Sequence, residues 1–301
     1  MLDSDTKVIA PTVSIGVVVY NGEASLAEAL ESLLAQTFTD FEIIVSDNAS
    51  SDRTANICKA YCERDSRIRY IRQIENLGAT RNFQFVLERA RGRYFMWAAA
   101  DDIRSPDFLK DNVQFLEEHT DYVASTSPNC YKGQEHLNHE WVYFSLEEES
   151  AEERFLQFFQ HCWQSHAIFY SLMRSEIAKN CSEVAESFIA ADWAFNLYLL
   201  SHGKIYRTHK GLTVLGVNGV SSQPRAYQKF RNYYIELFIP FYRLGGYTLQ
   251  YSKGFSAKTR ITLLLILFKL NLRAVMDQCH ANLYRFYRKC RTVKHQSINS
   301  E

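Results

Sequence analysis

Val13-Ser14-Ile15-Gly16-Val17-Val18-Val19-Tyr20-Asn21-Gly22 is the stretch on which the fold turns. The run from Val13 to Tyr20 is apolar and rich in β-branched residues, which suits a strand covered on both faces, as in parallel sheets. Asn21-Gly22 ends it with a turn. Ser25 and Glu28 then form a capping-box pattern, and Leu26, Leu30, Leu33 and Leu34 recur at helical spacing, so a helix is expected to about Gln36.

The alternation repeats downstream. Phe41 to Ser46 reads as a strand, Ala55, Cys58 and Cys62 mark a helix face, and Ile68 to Ile71 is short and strand-like. Phe83, Val86, Leu87 and Ala90 form another helical stripe, followed by a strand at Tyr94 to Ala99, a helix at Phe108 to Glu118 and a strand at Tyr122 to Ser127. Strands alternating with helices of about 10 to 15 residues imply crossover connections and a mainly parallel central sheet flanked by helices. Between Cys130 and Glu153 the pattern gives way to a polar, aromatic and then acidic stretch, read as a solvated surface or a helix start. Helices at Glu153 to Cys162 and Trp193 to Ser201 follow, with a strand-like Ala167 to Met173 between them.

The 301 residues are 47% hydrophobic and 23% charged, which excludes a disordered chain and allows a core plus an appendage. Seven cysteines at irregular spacing, with Cys58 and Cys62 four apart on a helix, favour a reducing compartment and no zinc site. The amino terminus has no apolar signal core, and Ile261 to Phe268 is too short to span a bilayer, so a cytoplasmic location is expected. The zero net charge hides an asymmetry. From Lys253 onward ten Lys/Arg face Asp277 and Glu301, a net +8, and the preceding 252 residues carry −8.

In an open parallel sheet ligands collect beyond the carboxyl ends of the strands. The first expected strand delivers Tyr20 and Asn21 there, the second Asp47 and Asn48, and the fourth Asp101 and Asp102. A flat ring beside an amide and a carboxylate can stack on a nucleobase and bond its edge. An acidic pair in that position can hold a divalent metal and the phosphates bound to it. Each residue taken singly reads first as a turn former or helix cap, Asp52 above all.

Taken in order, these residues resemble the family 2 glycosyltransferases, which have the GT-A fold. The matching text is Val13-Ser14-Ile15 through Tyr20-Asn21, Gln36-Thr37-Phe38, Phe41-Glu42-Ile43-Ile44-Val45 and Ser46-Asp47-Asn48-Ala49-Ser50-Ser51-Asp52-Arg53-Thr54. It continues with Asn76-Leu77-Gly78, Arg81-Asn82, Ala90-Arg91-Gly92, and Asp101-Asp102 followed by Pro106. The resemblance covers roughly residues 12 to 220. It implies a nucleotide-diphospho-sugar transferase fold: an extension at 1–11, a nucleotide-sugar-binding α/β half at 12–127, an acceptor-binding half at 128–225, and a helical, basic extension at 226–301.

The resemblance also implies roles. Tyr20, Asp47 and Asn48 match positions that hold the donor base, and Arg81 a basic position near base and phosphates. Asp101 matches the last acid of the DxD metal element and Asp102 its neighbour near the donor sugar; the first acid of that element is Ala99 here. The implied cofactor is Mg²⁺ or Mn²⁺, which uses one or two carboxylates plus phosphate oxygens. Asp192 matches the general base, in a reaction that inverts the anomeric carbon, and its usual Glu neighbour is Ala191. Helix capping is the other reading of Asp192. His166 and Trp163 lie in a segment that resembles the family's acceptor-side strand, with a structural histidine as the other reading of His166, and Trp193 follows Asp192 as an aromatic able to stack on a sugar face of the acceptor. Where many relatives carry a phosphate-holding Arg and His, this chain has Gly216 and Asn218.

The implied partners are a nucleotide-diphosphate-sugar donor and a hydroxyl of a glycan or lipid-linked saccharide, as in polysaccharide biosynthesis. The alternative is a relative that binds sugar nucleotides or glycans but is catalytically impaired, which the Ala99, Ala191 and Gly216 departures would suit. A nicotinamide-dependent dehydrogenase is set aside, because no GxGxxG follows the first strand. Residues 253–294 combine Ile261 to Phe268 with Lys258, Arg260, Lys269 and Arg273 and with Tyr284, Phe286 and Tyr287. Such a segment either lies on the inner face of the membrane as a peripheral anchor or packs back as helices. Nucleic acid is not an expected partner, since the rest of the chain is acidic.

Overall fold

The computed structural model describes residues 10–138, 142–181, 186–217 and 226–298. Its strands are β1 (Val13–Val19), β2 (Phe41–Asp47), β3 (Ile68–Arg72), β4 (Tyr94–Ala99), β5 (Ile103–Arg104), β6 (Tyr122–Thr126), β7 (Asn129–Tyr131), β8 (Leu172–Arg174), β9 (Lys204–Arg207) and β10 (Thr213–Leu215). The helices are α1 (Leu26–Leu34), α2 (Thr54–Arg64), α3 (Ala79–Arg89), α4 (Phe108–Glu118), α5 (Ala151–His161), α6 (His166–Phe169), α7 (Ser175–Lys179), α8 (Ala191–His202), α9 (Ala226–Lys229), α10 (Tyr242–Tyr251) and α11 (Ala257–Ile298). The chain divides into two compact units, the first Met1–Ser187 with Ala191–Pro224 and the second Phe188–Ala190 with Arg225–Glu301. Met1 to Ile9 of the amino-terminal extension, Asn218, and the side chains of Tyr284, Phe286 and Tyr287 lie outside the described residues.

In the first unit seven strands form one sheet in the order β3-β2-β1-β4-β8-β6-β9. β1 runs parallel to β2 and β4, and β2 parallel to β3, as expected for strands buried on both faces. The register is unbroken from Val13↔Phe41 to Val19↔Asp47 and from Val13↔Tyr94 to Val18↔Ala99, so these strands end level with one another. The chain builds β1, β2 and β3 in one direction, then returns to place β4 on the other side of β1. That reversal is a topological switch point, where a crevice opens beyond the carboxyl ends. A three-stranded sheet, β5-β10-β7, stands beside it and carries the segment after Asp102.

Two local features hold β1, β2 and β4 together. Ser14 Oγ donates to Glu42 Oε1 (2.7 Å), while Arg91 and Arg69 donate to Glu42 Oε2 (2.7 and 3.0 Å). Gly92 N–H donates to Ser14 Oγ (2.8 Å), and a Cβ on Gly92 would sit 2.6 Å from the Ser14 nitrogen. The Ala90-Arg91-Gly92 motif is therefore a clamp closing the amino ends of the strands.

Two expectations are corrected. Ala167 to Met173 is not one strand: His166–Phe169 is a helical turn, and β8 is confined to Leu172–Arg174, antiparallel to β4 and β6. An aromatic-rich apolar run has no period to tell helix from strand, and packing decides: Phe169 stacks on Trp97 at 4.6 Å and 4°. Ser25 makes no side-chain cap, and Glu28 instead accepts from Lys132 Nζ (2.7 Å). The capping box forms at α5, between Ser150 and Glu153 in the acidic stretch.

Candidate active site

The level strand ends put Tyr20-Asn21, Asp47-Asn48 and the Ala100-Asp101-Asp102 turn on one edge of the sheet. Tyr20 is 54% exposed there, its ring available for stacking. Asn21 adopts φ 50°, the left-handed conformation that Asn tolerates. Its Oδ1 accepts from Ser51 N–H (2.9 Å), and its own N–H donates to Ser50 Oγ (2.8 Å). Asp47 is fully buried: Ser50 N–H donates to Oδ1 (2.8 Å) and Tyr70 OH to Oδ2 (2.8 Å). Asn48 is buried too, accepting from Leu77 N–H (2.8 Å) and donating to Asn76 Oδ1 (2.9 Å). In this conformation both side chains bond inward and fix the loops that rim the crevice. Asp52 accepts from Thr54 N–H (3.0 Å) at the start of α2 and from Glu23 N–H (3.0 Å), tying the two rims together. Arg81 is exposed in the first turn of α3.

The acidic pair divides its work. Asp102 is buried, with Oδ1 accepting Gly216 N–H (3.0 Å) and Oδ2 facing Arg104 Nη1 at 3.6 Å, an ion pair longer than a hydrogen bond. The guanidinium of Arg104 is itself buried, and all three of its nitrogens lack hydrogen-bond partners. Burial raises the Asp102 carboxyl above its ordinary range against the opposing pull of Arg104, and burial likewise lowers Arg104. Asp101 is half-buried and lies against Gly216, where any Cβ would fall on its carboxylate.

Asp192 begins α8. Its carboxyl is raised by burial, partly offset by the field of His166 and by backbone N–H donors at Trp193 and Asp192. His166 Nδ1 lies 3.4 Å from Tyr131 OH. Tyr170 joins the two groups of acids. Its phenol is held protonated by burial first and then by the fields of Asp102, Asp192 and Asp101, with Arg104 opposing. Three carboxylates from two separate elements thus act electrostatically on one phenol.

Tyr170 and Arg104 escape a reading of the sequence for different reasons. Asp102 and Arg104 are two apart on extended chain and so point to one side, a signal that was available. Nothing local marks Tyr170. Of the residues expected to meet an acceptor, Trp193 is only 6% exposed, packed edge-to-face with Trp163 (5.0 Å, 83°), and Trp163, at 48%, presents the surface.

Among the described residues no three His, Cys, Asp and Glu side chains are placed to hold a metal by themselves. Asp101, half-exposed where the Asp102 that follows it is buried, fits a site that one carboxylate opens and donor phosphates complete.

This mainly parallel sheet, with its switch point and flanking helices, has the GT-A nucleotide-diphospho-sugar transferase fold. TarS of S. aureus in complex with UDP-GlcNAc shares it with a TM-score of 0.60 at 20% identity, over 79% of this chain and 66% of that one. The mannosyltransferase PcManGT of Pyrobaculum calidifontis, in complex with GDP-Man and Mn²⁺, does so with 0.54 at 16% identity, over 89% and 73%. The family model for glycosyl transferase family 2 matches residues 14–179, and the chain belongs to that family. It is 37% identical over 113 residues to the putative glycosyltransferase EpsE of Bacillus subtilis, 37% of this chain and 41% of that protein. It is 34% identical over 136 residues to an uncharacterized glycosyltransferase of Methanocaldococcus jannaschii, 44% and 42% of the two chains. These matches therefore span less than half the length of either relative.

Proposed function

We propose that the protein transfers a sugar from a nucleoside-diphosphate-sugar donor to a hydroxyl of a glycan or lipid-linked saccharide, with inversion. The observation that supports this reading is the level carboxyl ends of β1, β2 and β4, which bring Tyr20-Asn21, Asp47-Asn48 and Asp101-Asp102 to one edge of the sheet at the switch point. Asp192 takes the proton of the acceptor hydroxyl. The acceptor oxygen bonds to the anomeric carbon from the face opposite the phosphate as the sugar–phosphate bond breaks, and the nucleoside diphosphate leaves with that electron pair. Tyr20 stacks on the donor base, Asp47 and Asn48 hold the loops around it, and Arg81 meets the donor's negative charge. Asp102, braced by Gly216 N–H, lies near the donor sugar. Trp163, Trp193 and His166 shape the acceptor side. A divalent cation held by Asp101 and the donor phosphates would neutralise the charge growing on the leaving group.

Raised by burial, Asp192 is a better base than an ordinary carboxylate and needs a higher pH to be ionised. Activity should fall on acidification along a limb above the usual Asp value of about 3.9, and His166→Ala, removing a field that favours the anion, should move that limb upward. Asp192→Asn should cut turnover by about 10²- to 10⁴-fold while the melting-temperature rise caused by nucleotide sugar and Mn²⁺ survives. Equal loss of binding and turnover removes the base assignment. Full turnover in the variant refutes it.

A further inference from the structure

We infer that the second unit docks on an anionic lipid surface through one face of α11. That helix buries Thr259, Leu263, Leu267 and Ala274 on one side. At 3.6 residues per turn, the exposed Ile261, Leu264, Leu265, Phe268, Leu272 and Met276 fall within an arc of about 120° on the opposite side. The stripe is about 22 Å long at 1.5 Å per residue, and its central Phe268 is 66% exposed. An amphipathic helix has one apolar face, and the interior of the unit already occupies it; this second one needs a partner.

The margins of the stripe identify the partner. Lys258 and Lys269 border one side and Arg260 the other, all exposed, and the only acid between Ala257 and His280, Asp277, lies away from it. A segment with exposed aromatic rings, including Tyr234 (95% exposed), Phe238 and Tyr242, runs alongside. It is tied to α11 by Phe241 N–H to Asn271 Oδ1 (2.8 Å) and Arg231 Nη2 to Gln278 Oε1 (3.0 Å). Asn271 and Gln278 lie on the stripe's edge, so the rings extend the apolar surface sideways. Apolar centre, basic margins and peripheral tyrosines match the layers of a lipid interface. A second copy on the same stripe would instead line up lysines and arginines with no acid on either margin to pair them. Among the described residues no helix is long and apolar enough to cross a membrane, so the surface suits lying on a bilayer.

The full chain should co-sediment with vesicles of phosphatidylcholine containing phosphatidylglycerol, less as salt rises, and weakly with phosphatidylcholine alone. Leu265→Asp with Phe268→Asp, at exposed positions that spare the core, should abolish co-sedimentation with circular dichroism unchanged. Lys258→Gln with Lys269→Gln should weaken anionic-vesicle binding about fivefold per residue. The inference is overturned by no vesicle binding, by equal binding to both lipids, or by a dimer in light scattering that Phe268→Asp dissociates.

Discussion

Arg104→Met gives the sharpest test of the acidic turn. Two unit charges 3.6 Å apart attract by about 5 kcal/mol at an effective dielectric constant of about 20. Both groups are buried, so desolvation has already consumed much of that attraction, and removing one partner strands the other. Each of Arg104→Met and Asp102→Asn should therefore destabilise by about 3 to 5 kcal/mol. The double variant should fall short of the summed losses by about 3 kcal/mol, since no lone charge remains. In Arg104→Met the carboxyl can escape by keeping a proton. Its folded pKa then rises further, the native state binds more protons than the unfolded one, and the penalty deepens as pH increases above the ordinary carboxylate range. All four tryptophans precede residue 194, so urea unfolding followed by tryptophan fluorescence reads the first unit alone. Single losses that add to within about 0.5 kcal/mol, or an Arg104→Met penalty independent of pH, would refute the mutual compensation.

Glu42 is a lowered carboxylate: burial opposes its charge, but Arg91, Ser14 and Arg69 overcome that. The stability it supplies is present above the unfolded value of about 4.3 and lost as pH falls through the folded one. Glu42→Gln should cost about 2 kcal/mol near neutrality and nothing in acid, as urea midpoints at two pH values would show. Ala49 adopts φ 60° in the rim loop, a conformation costing a side-chain-bearing residue about 1 kcal/mol. Ala49→Gly should raise the unfolding free energy by up to that amount, seen as a higher urea midpoint, and a lowered midpoint would mean that the methyl packs usefully.

How much was legible follows the physics of each signal. β1, β2 and β4 announce themselves because burial on both faces demands continuous apolar text, and their level ends then follow from parallel pairing. The α6–β8 segment does not, since Trp97 and Phe195, distant in sequence, decide how Phe169 is presented. The capping pattern at Ser25 was misleading because Glu28 finds Lys132 more than a hundred residues away. In the candidate site the residues of short motifs could be read singly, but not their orientation. Asp47 and Asn48 bond inward, and Trp193 yields the exposed surface to Trp163.

The departures at residues 99 and 216 have connected physical meanings. A side chain at residue 216 would require Asp101 to move, because its carboxylate occupies the space a Cβ would need, while Asp102 accepts from the same residue's N–H. The acidic turn therefore seats itself on β10's end in place of a phosphate-binding side chain. Ala99, at the end of β4, leaves Asp101 as the outward carboxylate and Asp102 as an inner one bound to backbone and Arg104. Under the proposed reaction, charge on the leaving diphosphate is then met by what Asp101 holds and by Arg81 across the crevice rim. With Arg104 sealed beside Asp102, its positive charge favours the ionised form of that acid against the burial that opposes it.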